Sequence, residues 1–146
     1  IVNSKNLGKP IVRNISFLSE DLIEEINGKI YIEPLLFLAH HENPFKKEER
    51  TYPIDYVTKK KYNNTVSIQI PEGYKVAQLP ESIAIGLPDK LGVFKFQTSQ
   101  NGNMISTRCI FQINESLIIP AYYPYLKGFY NEMIKKESEK IVFERI

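Results

Sequence analysis

Prolines are the feature that most limits how this chain can fold. Nine of its 146 residues are proline, at positions 10, 34, 44, 53, 71, 80, 88, 120 and 124. Proline lacks a backbone donor and breaks the interior of a helix. Long helices are therefore confined to a few windows, and most of the chain is left to strands and turns.

Alternating apolar and polar residues predict strands between the prolines. Val66, Ile68 and Ile70 alternate with polar residues, and every second residue from Ile105 to Ile113 shares one face. Asn27-Gly28 is a strong signal for a two-residue hairpin turn. Strand patterns cover residues 11–17, 22–26, 29–32, 51–57, 65–70, 93–97, 104–114 and 140–146, with a short extended segment at 74–76 and a hairpin loop at 99–103.

Helical spacing occurs in the segment from residue 121 to about 137. There Tyr122, Leu126, Phe129 and Met133 fall at i, i+4, i+7 and i+11. We therefore predict a mainly β fold, an antiparallel two-sheet sandwich of about seven or eight strands with one C-terminal α-helix followed by a last strand. The polar residues 39–50 are expected to form a loop that crosses between the sheets.

The charge balance argues against nucleic acid and anionic membranes as partners. Lys and Arg number 19 and Asp and Glu number 17, which gives a net charge of +2 and no strong positive field. Lys59-Lys60-Lys61 is interpreted as a solvated turn rather than a nucleic-acid surface. No apolar run approaches the roughly 20 residues of a membrane span.

Few residues could carry chemistry. The single cysteine, Cys109, excludes an internal disulfide and a multi-cysteine metal site. It shares a face with Ile105 and Phe111, so we expect a small buried hydrophobe rather than a nucleophile. The glycines form neither a dinucleotide fingerprint nor a phosphate-binding loop.

Two clusters remain. His40-His41-Glu42 groups metal-ligand types, but two histidines are too few for a site, and polar loop residues are the favoured interpretation. The four tyrosines near the helix either pack it onto a sheet or form a platform for sugars, and their spacing favours packing; they are Tyr122, Tyr123, Tyr125 and Tyr130. We therefore predict no catalytic residue, no metal site and no cofactor, and the pattern defines no ligand-binding residue.

Several short strings, taken in order, resemble a known family. They are Asn43-Pro44-Phe45-Lys46, the run 50–56 (RTYPIDY), the run 71–76 (PEGYKV) with Leu79-Pro80, the run 125–130 (YLKGFY) and Ile141-Val142-Phe143. This pattern resembles the C-terminal domain of unknown function that follows the transglutaminase-like core in bacterial proteins, mostly of the Bacteroidetes. The resemblance covers about residues 28–146, so residues 1–27 are expected to be leading strands that join this domain to an upstream part.

The resemblance implies a role without catalysis. The catalytic Cys, His and Asp of such proteins belong to the upstream core, and both histidines here precede Cys109, so no catalytic residue carries over. We expect a non-catalytic accessory domain, not itself an enzyme, whose partner is that core, with a peptide or cell-wall substrate and a periplasmic or cell-surface location. The alternative is an independent glycan or cell-wall binding module.

Overall fold

The computed structural model describes residues 1–146 and contains ten strands and one α-helix. The strands are β1 (Ile23–Ile26), β2 (Lys29–Ile32), β3 (Ile54–Asp55), β4 (Lys60–Gln69), β5 (Tyr74–Gln78), β6 (Ile83–Gly86), β7 (Gly92–Asn101), β8 (Met104–Ile113), β9 (Leu117–Ile118) and β10 (Ile141–Arg145). The helix α1 spans Tyr123–Glu137, and short 3-10 helices span Leu36–Leu38, Pro88–Lys90 and Pro120–Tyr122. None of these helices has the length and apolar character needed to cross a bilayer.

The main sheet has the strand order β4-β8-β7-β6, and its neighbouring strands are antiparallel. The central strand β8 pairs along its whole length with both β4 and β7. Because side chains alternate across a sheet, β8 gives it two distinct faces. The inner face carries Ile105, Thr107, Cys109, Phe111 and Ile113, which are all buried. The outer face carries the residues between them.

A smaller antiparallel sheet has the order β1-β2-β10-β5. The hairpin between β1 and β2 turns at Asn27-Gly28, with φ values of 52° and 74°. Two positive φ values are what a type I′ turn requires, and Asn and Gly tolerate them best. The last strand, β10, lies between β2 and β5, so the first hairpin and the last strand of the chain belong to one sheet.

The core lies between the inner face of the main sheet and the elements that cover it. The helix packs around Phe96 and Phe111, in a cluster of 16 buried residues. The small sheet packs at the other end of β8, around Ile105, in a cluster of 5 buried residues. Those five are Ile32, Ile70, Ile105, Ile141 and Phe143.

The predicted fold class is confirmed. The chain is mainly β with antiparallel sheets, and its C-terminal helix is followed by a final strand. The structure has ten strands where about seven or eight were expected, because short strands such as β6 and β9 carry too few residues to show a clear alternation. Strands β3 and β9 also form a separate two-stranded sheet.

Some strand boundaries were predicted wrongly. Residues 11–17 form no strand and only Val12 bridges to Val2, because these apolar residues have no sheet face of their own to pack on. Only Ile54–Asp55 of the predicted strand 51–57 is extended in a ladder. Residues 99–103 form no long loop, since β7 and β8 continue to a two-residue turn at which Gly102 has a φ of 56°.

Candidate functional site

A buried carboxylate joins three distant parts of the chain. Glu137, the last residue of α1, is 1% exposed. Its Oε2 accepts the backbone N–H of His40 at 2.7 Å and lies 2.9 Å from His40 Nδ1. Its Oε1 accepts the thiol of Cys109 at 3.5 Å. The fold therefore brings a cysteine, a histidine and a carboxylate together.

The chemistry of this cluster is structural rather than nucleophilic. Burial raises the pKa of the Cys109 thiol, and the charge of Glu137 raises it further, so the thiol stays protonated at neutral pH and is a poor nucleophile. The hydrogen bond that His40 donates to the Glu137 carboxylate raises the pKa of His40 and outweighs the opposing effect of partial burial. The prediction that Cys109 is buried is confirmed.

The sequence analysis missed Glu137, although a signal was present. The residue lies four positions after Met133 and seven after Tyr130, so it continues the buried stripe of the helix. A charged residue on an apolar stripe needs a partner when it is buried. That partner, His40, lies 97 positions away in sequence, and no local pattern links the two.

The side chains of His40, His41 and Glu42 diverge. His40 binds Glu137, His41 Nε2 lies 3.7 Å from Glu33, and Glu42 pairs with Lys46 at 3.4 Å. No group of three or more His, Cys, Asp or Glu side chains in the structure is arranged so that it could hold a metal ion. All three are polar loop residues, as interpreted, and His40, whose side chain is 44% exposed, is in addition tied to the buried carboxylate of Glu137.

The polar segment 39–50 is held against α1. Asn43 Nδ2 donates to Lys127 O at 2.9 Å and to Asn131 Oδ1 at 2.7 Å. Phe45 is buried, and its ring makes edge contacts with Tyr123 and Tyr130 at 5.8 and 5.0 Å. Two of the strings that suggested a family, Asn43–Lys46 and the run 125–130, thus contact each other, and their residues act in packing.

The four tyrosines do not form an exposed row. Tyr123 and Tyr130 are buried, as the packing interpretation requires, while Tyr122 is partly buried and Tyr125 is 58% exposed. The Tyr122 hydroxyl donates to Asp89, and the Tyr123 hydroxyl donates to Lys47 O at 2.7 Å. A sugar platform made of all four rings is therefore excluded by the burial of two of them.

The lysine run also differs from its interpretation as a turn. Lys60 and Lys61 open strand β4, and only Lys59 precedes it. Lys59 pairs with Glu115 at 3.6 Å, and the ammonium of Lys60 lies 5.4 Å from the centre of the Tyr56 ring. Lys61 points to the opposite side, onto the outer face of the main sheet, because adjacent strand residues alternate.

Residues 1–21, which we call the N-terminal segment, are the part of the chain with the most exposed apolar side chains. None of these residues is buried. Eight of its large hydrophobic side chains are between 42% and 103% exposed. They are Ile1, Val2, Leu7, Ile11, Val12, Ile15, Phe17 and Leu18. The ring of Phe17 meets that of Phe37 edge-on at 5.2 Å.

A cavity of about 240 Å³ lies where this segment meets the small sheet. Its walls include Asp21, Glu24, Glu33 and Lys140. Lys140 Nζ already pairs with Glu24 at 3.5 Å and with Glu33 at 3.2 Å. Three of these four charged side chains, Glu24, Glu33 and Lys140, therefore form a structural ion-pair network.

Comparison with known proteins finds a similar fold within a longer chain. A crystal structure of a "putative protease" from Parabacteroides distasonis ATCC 8503 matches 66% of this chain with a TM-score of 0.56 and 18% identity. The match spans only 19% of that longer chain, and at this identity it shows the fold alone. The comparison with curated proteins gave no match. Residues 28–143 match the DUF3858 family, described as a domain of unknown function with a solved structure, and the chain belongs to that family.

Proposed function

We propose that this chain is a non-catalytic accessory domain at the C-terminal end of a longer, exported transglutaminase-like protein. It packs on the upstream core and assists that core in acting on a peptide or cell-wall substrate. The observation that carries the proposal is the N-terminal segment, with its eight exposed large hydrophobic side chains. Large exposed apolar patches on soluble proteins commonly mark interaction sites.

Two further observations support this role. The fold recurs as a minor part of a much longer chain, the Parabacteroides protein. The one cysteine of this chain is buried and its thiol pKa is raised, so the nucleophile of a cysteine-dependent reaction has to come from elsewhere. The transglutaminase-like context and the periplasmic or cell-surface location rest on the sequence resemblance around residues 43–46, 50–56 and 125–130.

The proposal is tested by making the N-terminal segment polar. The triple variant Ile11→Ser, Ile15→Ser, Leu18→Ser removes apolar side chains that are 69%, 69% and 96% exposed. The matched control, Tyr52→Ser, Val57→Ser, Ile146→Ser, alters side chains that are 79%, 83% and 88% exposed elsewhere. Both variants are made in the 146-residue chain and in the longer polypeptide that contains it.

In the 146-residue chain, we expect neither variant to change the melting temperature by more than about 2 °C, because exposed side chains contribute little to stability. In the longer polypeptide, we expect the N-terminal variant to lower the melting temperature of the upstream core and its turnover of a short peptide, while the control changes neither. Equal behaviour of the two variants in the longer polypeptide would contradict the docking role.

The second candidate function is an independent glycan or cell-wall binding module. It is favoured by the outer face of the main sheet, which carries exposed polar side chains on three adjacent strands. Truncation of the longer polypeptide just before this chain separates the two functions. An accessory domain predicts that turnover of a short peptide and of an insoluble cell-wall polymer fall together, whereas a binding module predicts that only polymer turnover falls.

A further inference from the structure

The outer face of the main sheet is uncovered and polar. Besides the exposed Met104 of β8 and Ala84 of β6, its exposed side chains are polar and come from three adjacent strands, β4, β8 and β7. They are Lys61, Asn63, Thr65, Ser67 and Gln69 on β4, Arg108 on β8, and Lys95, Gln97, Ser99 and Asn101 on β7. The face thus offers amides, hydroxyls and three cations over a broad, open surface, without an aromatic side chain among them.

The charges on this face are all of one sign. The four strands of the main sheet contain no Asp or Glu, and none of the ion pairs in the structure involves Lys61, Lys95 or Arg108. The small sheet is an internal contrast, because there both Lys29 and Lys75 pair with Glu144, at 3.5 and 3.3 Å. On the outer face, therefore, the three positive charges are not neutralised by the chain itself.

The geometry of two cations suits an anionic group. Arg108 Nε donates to Asn63 Oδ1 at 3.2 Å, which orients the guanidinium and leaves its terminal amino groups to donate to a ligand. Arg108 on β8 lies opposite Gln97 on β7, and Lys95 is two residues before Gln97 on β7. Such diagonal neighbours on adjacent strands lie about 7–8 Å apart. Lys95 also borders a shallow depression of about 230 Å³ with Ser82, Ala84 and Gln97.

We infer that this outer face binds an extended polysaccharide that carries carboxylate groups. The three cations pair with the carboxylates, and Arg108 does so through a bidentate hydrogen bond. The amides and hydroxyls of the face form hydrogen bonds with the sugar hydroxyls between the carboxylates. An open sheet face suits a polymer that lies across several strands better than a small ligand, which is usually held in a deeper cleft. This inference refines the second candidate function, the binding module, and rests on it.

Nucleic acid fits the same face less well. Single strands are held by aromatic side chains on which bases stack, together with a cationic groove that follows the backbone. The exposed members of the outer face include no aromatic ring, and three spaced cations would neutralise only a few phosphates. Sugar hydroxyls, in contrast, match the many amide and hydroxyl groups that surround the cations.

The experiment uses polygalacturonate as the acidic probe and dextran of similar length as the neutral one. Binding to the 146-residue chain is measured by calorimetry at low salt, and backbone amide NMR shifts locate it. The face variant is Lys95→Gln, Arg108→Gln. The matched control is Lys5→Gln, Lys9→Gln, which removes the same charge from the N-terminal segment. Circular dichroism verifies that both variants fold, as expected for exposed positions.

We expect polygalacturonate to shift the amides of β4, β7 and β8 and to bind more tightly than dextran. The face variant should weaken binding by about tenfold or more, and the control by less than about twofold. Equal weakening in both variants, equal affinity for dextran, tighter binding of a single-stranded oligonucleotide, or no binding would each overturn the inference. Retention of a neutral cell-wall polymer without binding of polygalacturonate would overturn this inference but leave the binding module standing.

Discussion

The two faces of the main sheet are built by the same strands, but one is buried and the other is exposed to solvent. On β8 the inner residues from Ile105 to Ile113 are buried beneath α1 and the small sheet, while Arg108 between them is exposed. The inner face contributes most of the apolar burial, and burying one large apolar side chain contributes about 1.5–3 kcal/mol. The outer face contributes less, because its apolar side chains Val93 and Ile110 are only half-buried. Stability and candidate function therefore lie on opposite sides of one sheet, and substitutions can address them separately.

The largest difference between the faces should come from a large side chain at the centre of the inner face. Phe96 is fully buried, and Phe96→Ala should lower the free energy of unfolding by about 3–5 kcal/mol, since it removes apolar contacts and leaves a cavity. The neighbouring outer-face change Lys95→Ala should alter it by less than about 0.5 kcal/mol. Urea denaturation measures both values. Similar losses in the two variants would show that the outer face is also covered.

A polar exception on the inner face should give a smaller effect of opposite sign. The hydroxyl of Thr107 is buried without a hydrogen-bond partner, and an unsatisfied buried hydroxyl is costly. Thr107→Val should therefore raise the free energy of unfolding by about 1 kcal/mol. The control is Thr98→Val, which removes a hydroxyl that donates to Pro80 O and should lower it by about 1 kcal/mol. A loss of stability in Thr107→Val would point to an internal water that bonds this hydroxyl.

The interaction of the buried carboxylate Glu137 with His40 should make the stability of the fold depend on pH. Because the pKa of His40 is raised in the folded chain, its contribution is complete below the unfolded value of about 6.5 and is lost as the pH rises through the folded value. His40 is 44% exposed, so the effect should stay below about 1 kcal/mol after solvent screening. The difference in unfolding free energy between pH 5.5 and 8.5 should shrink in His40→Gln and persist in His41→Gln. No change in either variant would contradict the assignment.

The smallest effect should come from the N-terminal segment. It differs from the buried apolar inner face and from the mostly polar outer face, because its large apolar side chains are exposed. Deleting residues 1–16 removes no buried side chain and should change the free energy of unfolding by less than about 0.5 kcal/mol. A longer deletion, of residues 1–26, also removes strand β1 and its pairing with β2, and should cost more. Chemical denaturation of both truncated chains tests this order, and a large loss for the shorter deletion would mean that the segment belongs to the core.

Much of the fold could be predicted because its signals are local. The alternation along β8, the Asn27-Gly28 turn and the apolar spacing within α1 each lie inside a short window, and all three are present in the structure. Residues 11–17 show the limit of this reasoning, since they alternate similarly but find no sheet to join. Burial next to a partner surface, rather than alternation alone, determines whether such a run becomes a strand.

The candidate sites depended on contacts that no window contains. Glu137 continues an apolar stripe, but only folding brings His40 and Cys109 to its carboxylate. The cations of the outer face lie on three different strands, and the strand order β4-β8-β7 places them on one face. The short sequence strings around Asn43 and Tyr125 indicated the family, but nothing in them indicates that the two segments contact each other in the fold.

The sequence by itself determined the class of the fold, because prolines exclude long helices from most of the chain and period-two patterns impose strands with one apolar face. Only the tertiary structure decided that β10 lies between β2 and β5, that one face of the main sheet is covered while the other stays open, and that a carboxylate is buried at the end of α1. The physical reason is that the two kinds of interaction act over different distances along the chain. Backbone preferences act over a few residues, whereas the burial of an apolar face or the pairing of a charge depends on whichever distant segment packs against it.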